Sequence, residues 1–196
     1  MTTGGYCMAG IRCDDFVLMA ADKSVVAHGV LKFADDIDRG FKLGEKLFMY
    51  CAGSNGSSER FGAFARSHVD STKIQFGYEL KPEPLHHFLS RTVAADSWSV
   101  DLLLGGFNDV EGKSFLGSVD KTGAGLKDWP YAALGDSAPH CKLIMNQAYR
   151  RDMSEAQAIE LLQRCVNAAK RSFSMGSSFS VVKIDRSGVQ QLADLS

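Results

Sequence analysis

Residues 1–22, MTTGGYCMAGIRCDDFVLMAAD, decide how the rest of the chain is read. YCMAGIR (6–12) and FVLMAAD (16–22) are short apolar runs divided by Cys13-Asp14-Asp15, the signature of two strands joined by a tight turn. The second run stops at an acid, Asp22. An acid at a strand end either orients a catalytic group or caps the next turn, and its position alone supports both roles equally. Thr2 and Thr3 stand just behind Met1. An amino-terminal threonine exposed by loss of Met1 can act as a nucleophile with its own amine as base.

Outward from this hairpin, extended segments continue through VVAHGVLKF (25–33) and FKLGEKLFMYCAG (41–53), the latter as two strands about a Gly-Glu-Lys turn. Together they read as a compact β meander. From Ser57 the periodicity changes. Phe61, Phe64, Ala65, His68, Val69, Thr72 and Phe76 recur at spacings of three and four, predicting a helix capped by Ser57 or Ser58 and stopped at Gly77. KPEPLHHFLSRTVAADS (81–97) predicts a second helix with Pro82 and Pro84 in its first turn and Leu85, Phe88, Leu89 and Val93 buried.

Strands return in SVDLLLGGFND (99–109) and KSFLGSVD (113–120), joined by Val110-Glu111-Gly112, and again near Tyr131–Leu134. Two further helices follow. One spans about residues 137–149. The other opens at Ser154, which forms a capping box with Gln157 and turns Ile159, Leu162, Val166 and Ala169 inward. FSVVKIDRSGVQQL (179–192) closes the chain as a hairpin. Strands and helices thus come in blocks, which specifies α+β rather than alternating α/β. Two antiparallel sheets stacked face to face, with a helix pair outside each, bury every apolar stripe. No repeat or linker divides the 196 residues, so residues 1–196 read as one domain.

A net charge of −1 carries no electrostatic footprint for nucleic acid or a membrane surface. Cys7, Cys13, Cys51, Cys141 and Cys165 are odd in number and lack paired spacing, which suits free thiols packed as small hydrophobes in a reducing compartment rather than zinc ligands. His86 and His87 are adjacent on a helix and diverge, His28 and His140 are isolated, and DDIDRGFK (35–42) lacks calcium-loop spacing. CAGSNG (51–56) resembles an anion-binding turn but lacks the Lys-Ser/Thr of a phosphate loop. A Ser-His-Asp triad has no nucleophile elbow here. Cofactor and metal sites are expected to be absent, while on these residues alone the roles of Asp22 and of the amino-terminal threonines stay open.

In order along the chain, GIRCDDFVLMAAD (10–22), DDIDRGFKLGEKLFMYCAGSNG (35–56), GYEL (77–80), VDLLLGGFNDVEGKSFLGSVD (100–120), MSEAQAIELLQRC (153–165) and FSVVKIDRSGV (179–189) resemble a proteasome beta subunit. FKLGEKL, GYEL and the short amino terminus are most similar to the non-catalytic beta-four branch of that family, also called beta type-2. The resemblance implies a four-layer αββα sandwich in the N-terminal-nucleophile hydrolase fold. It also implies assembly with other alpha and beta subunits in stacked seven-membered rings beside a catalytic beta subunit, with cytoplasmic and nuclear localisation.

In active members a threonine opens the first strand and an aspartate ends the second. Asp22 matches that aspartate, and counting back without gaps puts Tyr6 at the nucleophile position. Thr2 and Thr3 fall three to four residues early. At about 3.3 Å per residue Thr3 misses by about 10 Å, whereas proton transfer needs a reach of about 3 Å. The family's activating lysine is matched by Arg39, planar and permanently charged. Its downstream Asp-x-x-Ser-Gly is matched by RSFSMGSS (171–178), without an aspartate. The chain also begins at Met1, ahead of Tyr6, and an unprocessed start is expected of a subunit that never cuts itself.

Three readings therefore stand: a structural beta subunit, an active threonine peptidase using Thr2, and a small-molecule enzyme using the CAGSNG turn. In the first, Lys23–His28 borders the neighbouring subunit's substrate cleft, or else only packs on its own sheet.

Overall fold

A computed structural model describes residues 5–27, 31–34, 36–54, 56–96, 98–172 and 178–196. Thr2, Thr3, His28 and most of the 171–178 stretch lie outside the described residues. Among the described residues sixteen elements follow in the expected blocks: β1 (Cys7–Arg12), β2 (Phe16–Asp22), β3 (Val25–Ala27), β4 (Leu31–Ala34), β5 (Gly40–Lys42) and β6 (Leu47–Gly53) precede α1 (Ser57–Phe76) and α2 (Pro82–Ala95). Then come β7 (Val100–Asn108), β8 (Lys113–Val119), β9 (Gly125–Leu126) and β10 (Tyr131–Gly135), followed by α3 (Ala138–Ala148), α4 (Glu155–Ser172), β11 (Phe179–Asp185) and β12 (Gly188–Gln191).

Among the described residues the strands make two five-stranded antiparallel sheets, β10-β1-β2-β11-β12 and β5-β6-β7-β8-β9, and a separate β3-β4 hairpin. The sheets stack over a shared core that includes Met8, Val17, Met19, Phe48, Leu103, Leu116, Val182 and Ile184. Outside the first sheet, Ile11, Leu18 and Val181 pack against Leu161, Leu162, Cys165 and Val166 of α4 and Cys141 and Met145 of α3. Outside the second, Met49, Leu102, Leu104 and Phe115 pack against Phe61, Ala65 and Val69 of α1 and Leu85, Leu89 and Val93 of α2. This is the α+β, αββα sandwich that the block order requires.

Central strands are covered on both faces, which explains why FVLMAA is apolar without alternation. Close approach of the sheets needs small residues at the crossing. A Cβ on Gly10 would lie 2.9 Å from Leu116, and one on Gly105 would lie 2.6 Å from Ile184 and 2.9 Å from Met19. The Tyr50 hydroxyl of β6 reaches across to Ser180 of β11 at 2.9 Å, tying sheet to sheet.

Four expectations need correction. The early strands are not one meander: β1 and β2 enter the first sheet, whereas β5 and β6 enter the second. VVAHGVLKF is not one extended segment, because it supplies both strands of the β3-β4 hairpin. The α1 cap is Gly56, in the left-handed region at φ +76°, rather than Ser57 or Ser58. The α1 stripe is also narrower than its spacing suggested. Phe64 and Phe76 are exposed, and Phe64 stacks on Phe88 of α2 instead of entering the core. The α4 capping box forms as expected: Ser154 N–H donates to Gln157 Oε1 at 3.0 Å, and Gln157 N–H to Ser154 Oγ at 3.4 Å.

Candidate functional site

At one end of the sandwich, the start of β1, the end of β2, the loop before β5 and the start of β7 converge. Asp22 closes β2 with its side chain wholly buried. Its Oδ1 accepts the Cys7 backbone N–H at 2.9 Å, and its Oδ2 accepts the Ser24 hydroxyl at 3.0 Å. Arg39 approaches from the loop. Its Nε lies 3.3 Å from Asp22 Oδ1 and donates to the Asp22 carbonyl at 3.0 Å, while its Nη2 donates to the Ser24 carbonyl at 2.6 Å. Burial raises the Asp22 carboxyl above its usual range, and Arg39, the Cys7 amide and Ser24 work against that shift. Both carboxylate oxygens are therefore engaged. Ser24, though bonded to a carboxylate, is itself fully buried, so no substrate reaches its hydroxyl.

Tyr6 stands one residue ahead of β1. Its hydroxyl donates a short hydrogen bond to Asp101 Oδ2 at the start of β7, and the other Asp101 oxygen accepts the Lys121 N–H at 2.8 Å. The Tyr6 ring lies 6.0 Å from the Arg39 guanidinium carbon. Its carbonyl accepts Asp136 N–H at 3.1 Å. Burial first, then Asp101, push the phenol far above its ordinary pKa, so it stays protonated and poorly nucleophilic. Tyr6 thus bridges the two sheets at the mouth between them.

The structure brings Tyr6, Asp22 and Arg39 together, as the match to the family implied, and adds Ser24 to them. Asp101 was missed. Its only signal was an acid opening an apolar strand, mirroring Asp22 at the close of another. His86 and His87 sit elsewhere. His86 is buried beside Phe115 and 3.2 Å from the Ser118 carbonyl, and burial lowers its pKa. His87 faces solvent, so the pair diverges as adjacent helical residues do. Of the CAGSNG segment, Cys51–Gly53 end β6, and Ser57 N–H is bonded to the Ser54 carbonyl at 2.8 Å where α1 begins. Among the described residues no group of three acidic, histidine or cysteine side chains is arranged to hold a metal ion, and no helix is long and apolar enough to cross a membrane.

Two stacked five-stranded sheets between helix pairs, with an acid closing the second strand beside the start of the first, define the sandwich of N-terminal-nucleophile hydrolases. The family described as "Proteasome subunit" matches residues 1–184. The chain is 36% identical to "Proteasome subunit beta type-2" of Caenorhabditis elegans over 194 residues, covering 96% of this chain and 98% of the relative. It is 28% identical to "Proteasome subunit beta type-4" of Saccharomyces cerevisiae, covering 94% and 96% of the two chains. A "Proteasome subunit beta" of Methanococcus aeolicus is 24% identical, covering 97% and 88%. The chain belongs to the proteasome beta-subunit family, whose members assemble with other proteasome subunits in protein degradation.

Proposed function

We propose that this chain is a non-catalytic structural beta subunit of the 20S core particle. In this reading it takes its place in a beta ring, within a hetero-oligomer of stacked seven-membered alpha and beta rings. There it forms part of the chamber wall and supports an adjacent threonine protease subunit during ATP- and ubiquitin-dependent degradation, in cytoplasm and nucleus. The observation that carries the reading is Tyr6. At the position where active relatives begin their nucleophile, it places a protonated phenol bonded to Asp101, flanked by Arg39 and by an Asp22 whose oxygens are both occupied.

The alternative is a threonine peptidase working through Thr2 after loss of Met1. Thr2→Ala and Thr3→Ala are expected to leave every peptidase activity of the purified particle unchanged in fluorogenic peptide assays. Loss of one substrate class with assembly intact would overturn the proposal. An intact mass that retains Met1 removes the alternative directly.

The β3-β4 hairpin stands apart from both sheets, immediately beyond the Asp22 end of β2. That placement favours a contact role for Lys23–His28 over packing on its own sheet. Val25→Ala and Val26→Ala are accordingly expected to alter the substrate or inhibitor preference of a neighbouring active subunit. Peptide hydrolysis and inhibitor potency at wild-type levels throughout would make the hairpin a scaffold element.

A further inference from the structure

Three of the five buried thiols converge from three different elements. Cys7 of β1 and Cys141 of α3 have their sulfurs 4.0 Å apart. Cys141 and Cys165 of α4 point their thiols at each other's backbone carbonyls, at 3.8 and 3.9 Å. Cys141 is therefore the centre of the group. All three are free and buried in the apolar layer between the first sheet and its helices. The other two cysteines lie apart: Cys13 follows the far end of β1, and Cys51 packs in the layer under α1 and α2.

We infer that Cys7, Cys141 and Cys165 form an oxidation site, in which a hydroperoxide converts Cys7 and Cys141 to a disulfide that staples β1 to α3. Disulfide sulfurs sit about 2 Å apart. The Cys7–Cys141 pair thus has to close by about 2 Å, a shift within reach of side-chain rotation and a small displacement of α3. Cys141 lies in the first turn of α3, where the helix amides favour a thiolate. Cys141 alone contacts both other cysteines, so its sulfur is the one placed to react first and to pass the oxidation to a neighbour.

The chemistry balances in two steps. The Cys141 sulfur attacks one peroxide oxygen and the O–O bond breaks. This leaves a sulfenic acid, and the departing oxygen leaves as water with the proton released by Cys141. The Cys7 sulfur then attacks the sulfenic sulfur, and the S–O bond breaks. The hydroxyl departs as a second water with the Cys7 proton. Two thiols and one hydrogen peroxide yield one disulfide and two waters, the peroxide taking two electrons. Because the thiols are buried, the reaction waits on local opening of the α3 layer, which makes it slow and dependent on oxidant dose. The staple ends on the strand whose Cys7 amide holds Asp22, so oxidation also fixes the strand end that carries Tyr6.

The test uses the intact particle, treated with graded hydrogen peroxide, then denatured with an alkylating agent, digested and mapped by mass spectrometry. The expected result is a crosslinked Cys7–Cys141 peptide pair that grows with dose and is reversed by dithiothreitol. Cys13 and Cys51 should remain alkylatable at the same dose. Cys141→Ser should abolish the crosslink, and Cys165→Ser should retain it. The wild-type map decides the matter even if a variant fails to assemble. A dominant Cys141–Cys165 link, or full alkylation of Cys7 and Cys141 at the highest dose that leaves the particle assembled, would overturn the inference.

Discussion

Arg39→Ala is expected to cost about 3–5 kcal/mol of stability, the usual penalty for leaving a buried charge without its partner. Asp22 has no exposed side-chain surface and Arg39 only about a tenth, so solvent cannot take over the role of either. The two backbone carbonyls that Arg39 holds, those of Asp22 and Ser24, also lose their donor. The pH dependence separates a charge effect from a packing effect. Burial already raises the Asp22 carboxyl in the fold, and the Arg39 charge opposes that rise more strongly than any other neighbour, so removing Arg39 raises it further. Between the unfolded value, about 3.9, and the higher folded value, the folded state binds a proton that the unfolded chain lacks. Stability associated with that proton is full below the unfolded value and lost as pH rises through the folded one. The Arg39→Ala deficit should therefore be greatest at neutral pH and shrink as pH falls toward 4. Asp22→Asn in the same background should recover part of it at neutral pH. Denaturant melts across this range measure both effects. A deficit independent of pH would mean that Arg39 acts through packing alone.

The sequence disclosed the block order and most helix-facing residues because these depend on local periodicity. Leu162, Val166 and Ala169 fall inward as their spacing required. Which sheet a strand joins was hidden by physics rather than by noise. Strands covered on both faces lose the alternation that would mark an inner and an outer side, so β2 and β6 look alike yet belong to different sheets. The two-residue β9 is too short to carry a pattern. The α1 stripe was over-read because spacing says which residues share a helix face, not how far along its length the partner sheet extends. At the site, Asp22 and Arg39 are placed by the order of motifs shared with the family, not by any local periodicity. Tyr6 to Asp101 spans 95 positions and Cys7 to Cys141 spans 134. Contacts at those separations belong to the sandwich as a whole and leave no local trace.

Leu162→Ala should be strongly destabilising to the layer beneath α3 and α4. Leu162 is fully buried in the core that joins α4 to β1 and β2. Truncation removes its apolar area from that core and leaves a cavity that neighbours fixed on a five-stranded sheet cannot collapse to fill, at a cost of about 2–5 kcal/mol. A domain of ordinary stability has about 5–15 kcal/mol in total, so a large part of the folded margin disappears. The damage should appear as reduced incorporation into the particle on native gels, before any change in peptide hydrolysis per assembled particle. Leu162→Met conserves most of the volume and should cost less than about 1.5 kcal/mol. Normal assembly of Leu162→Ala would show that the α4 face contributes far less than its burial implies. Equal damage from Leu162→Met would point instead to a shape constraint at that position rather than to lost volume.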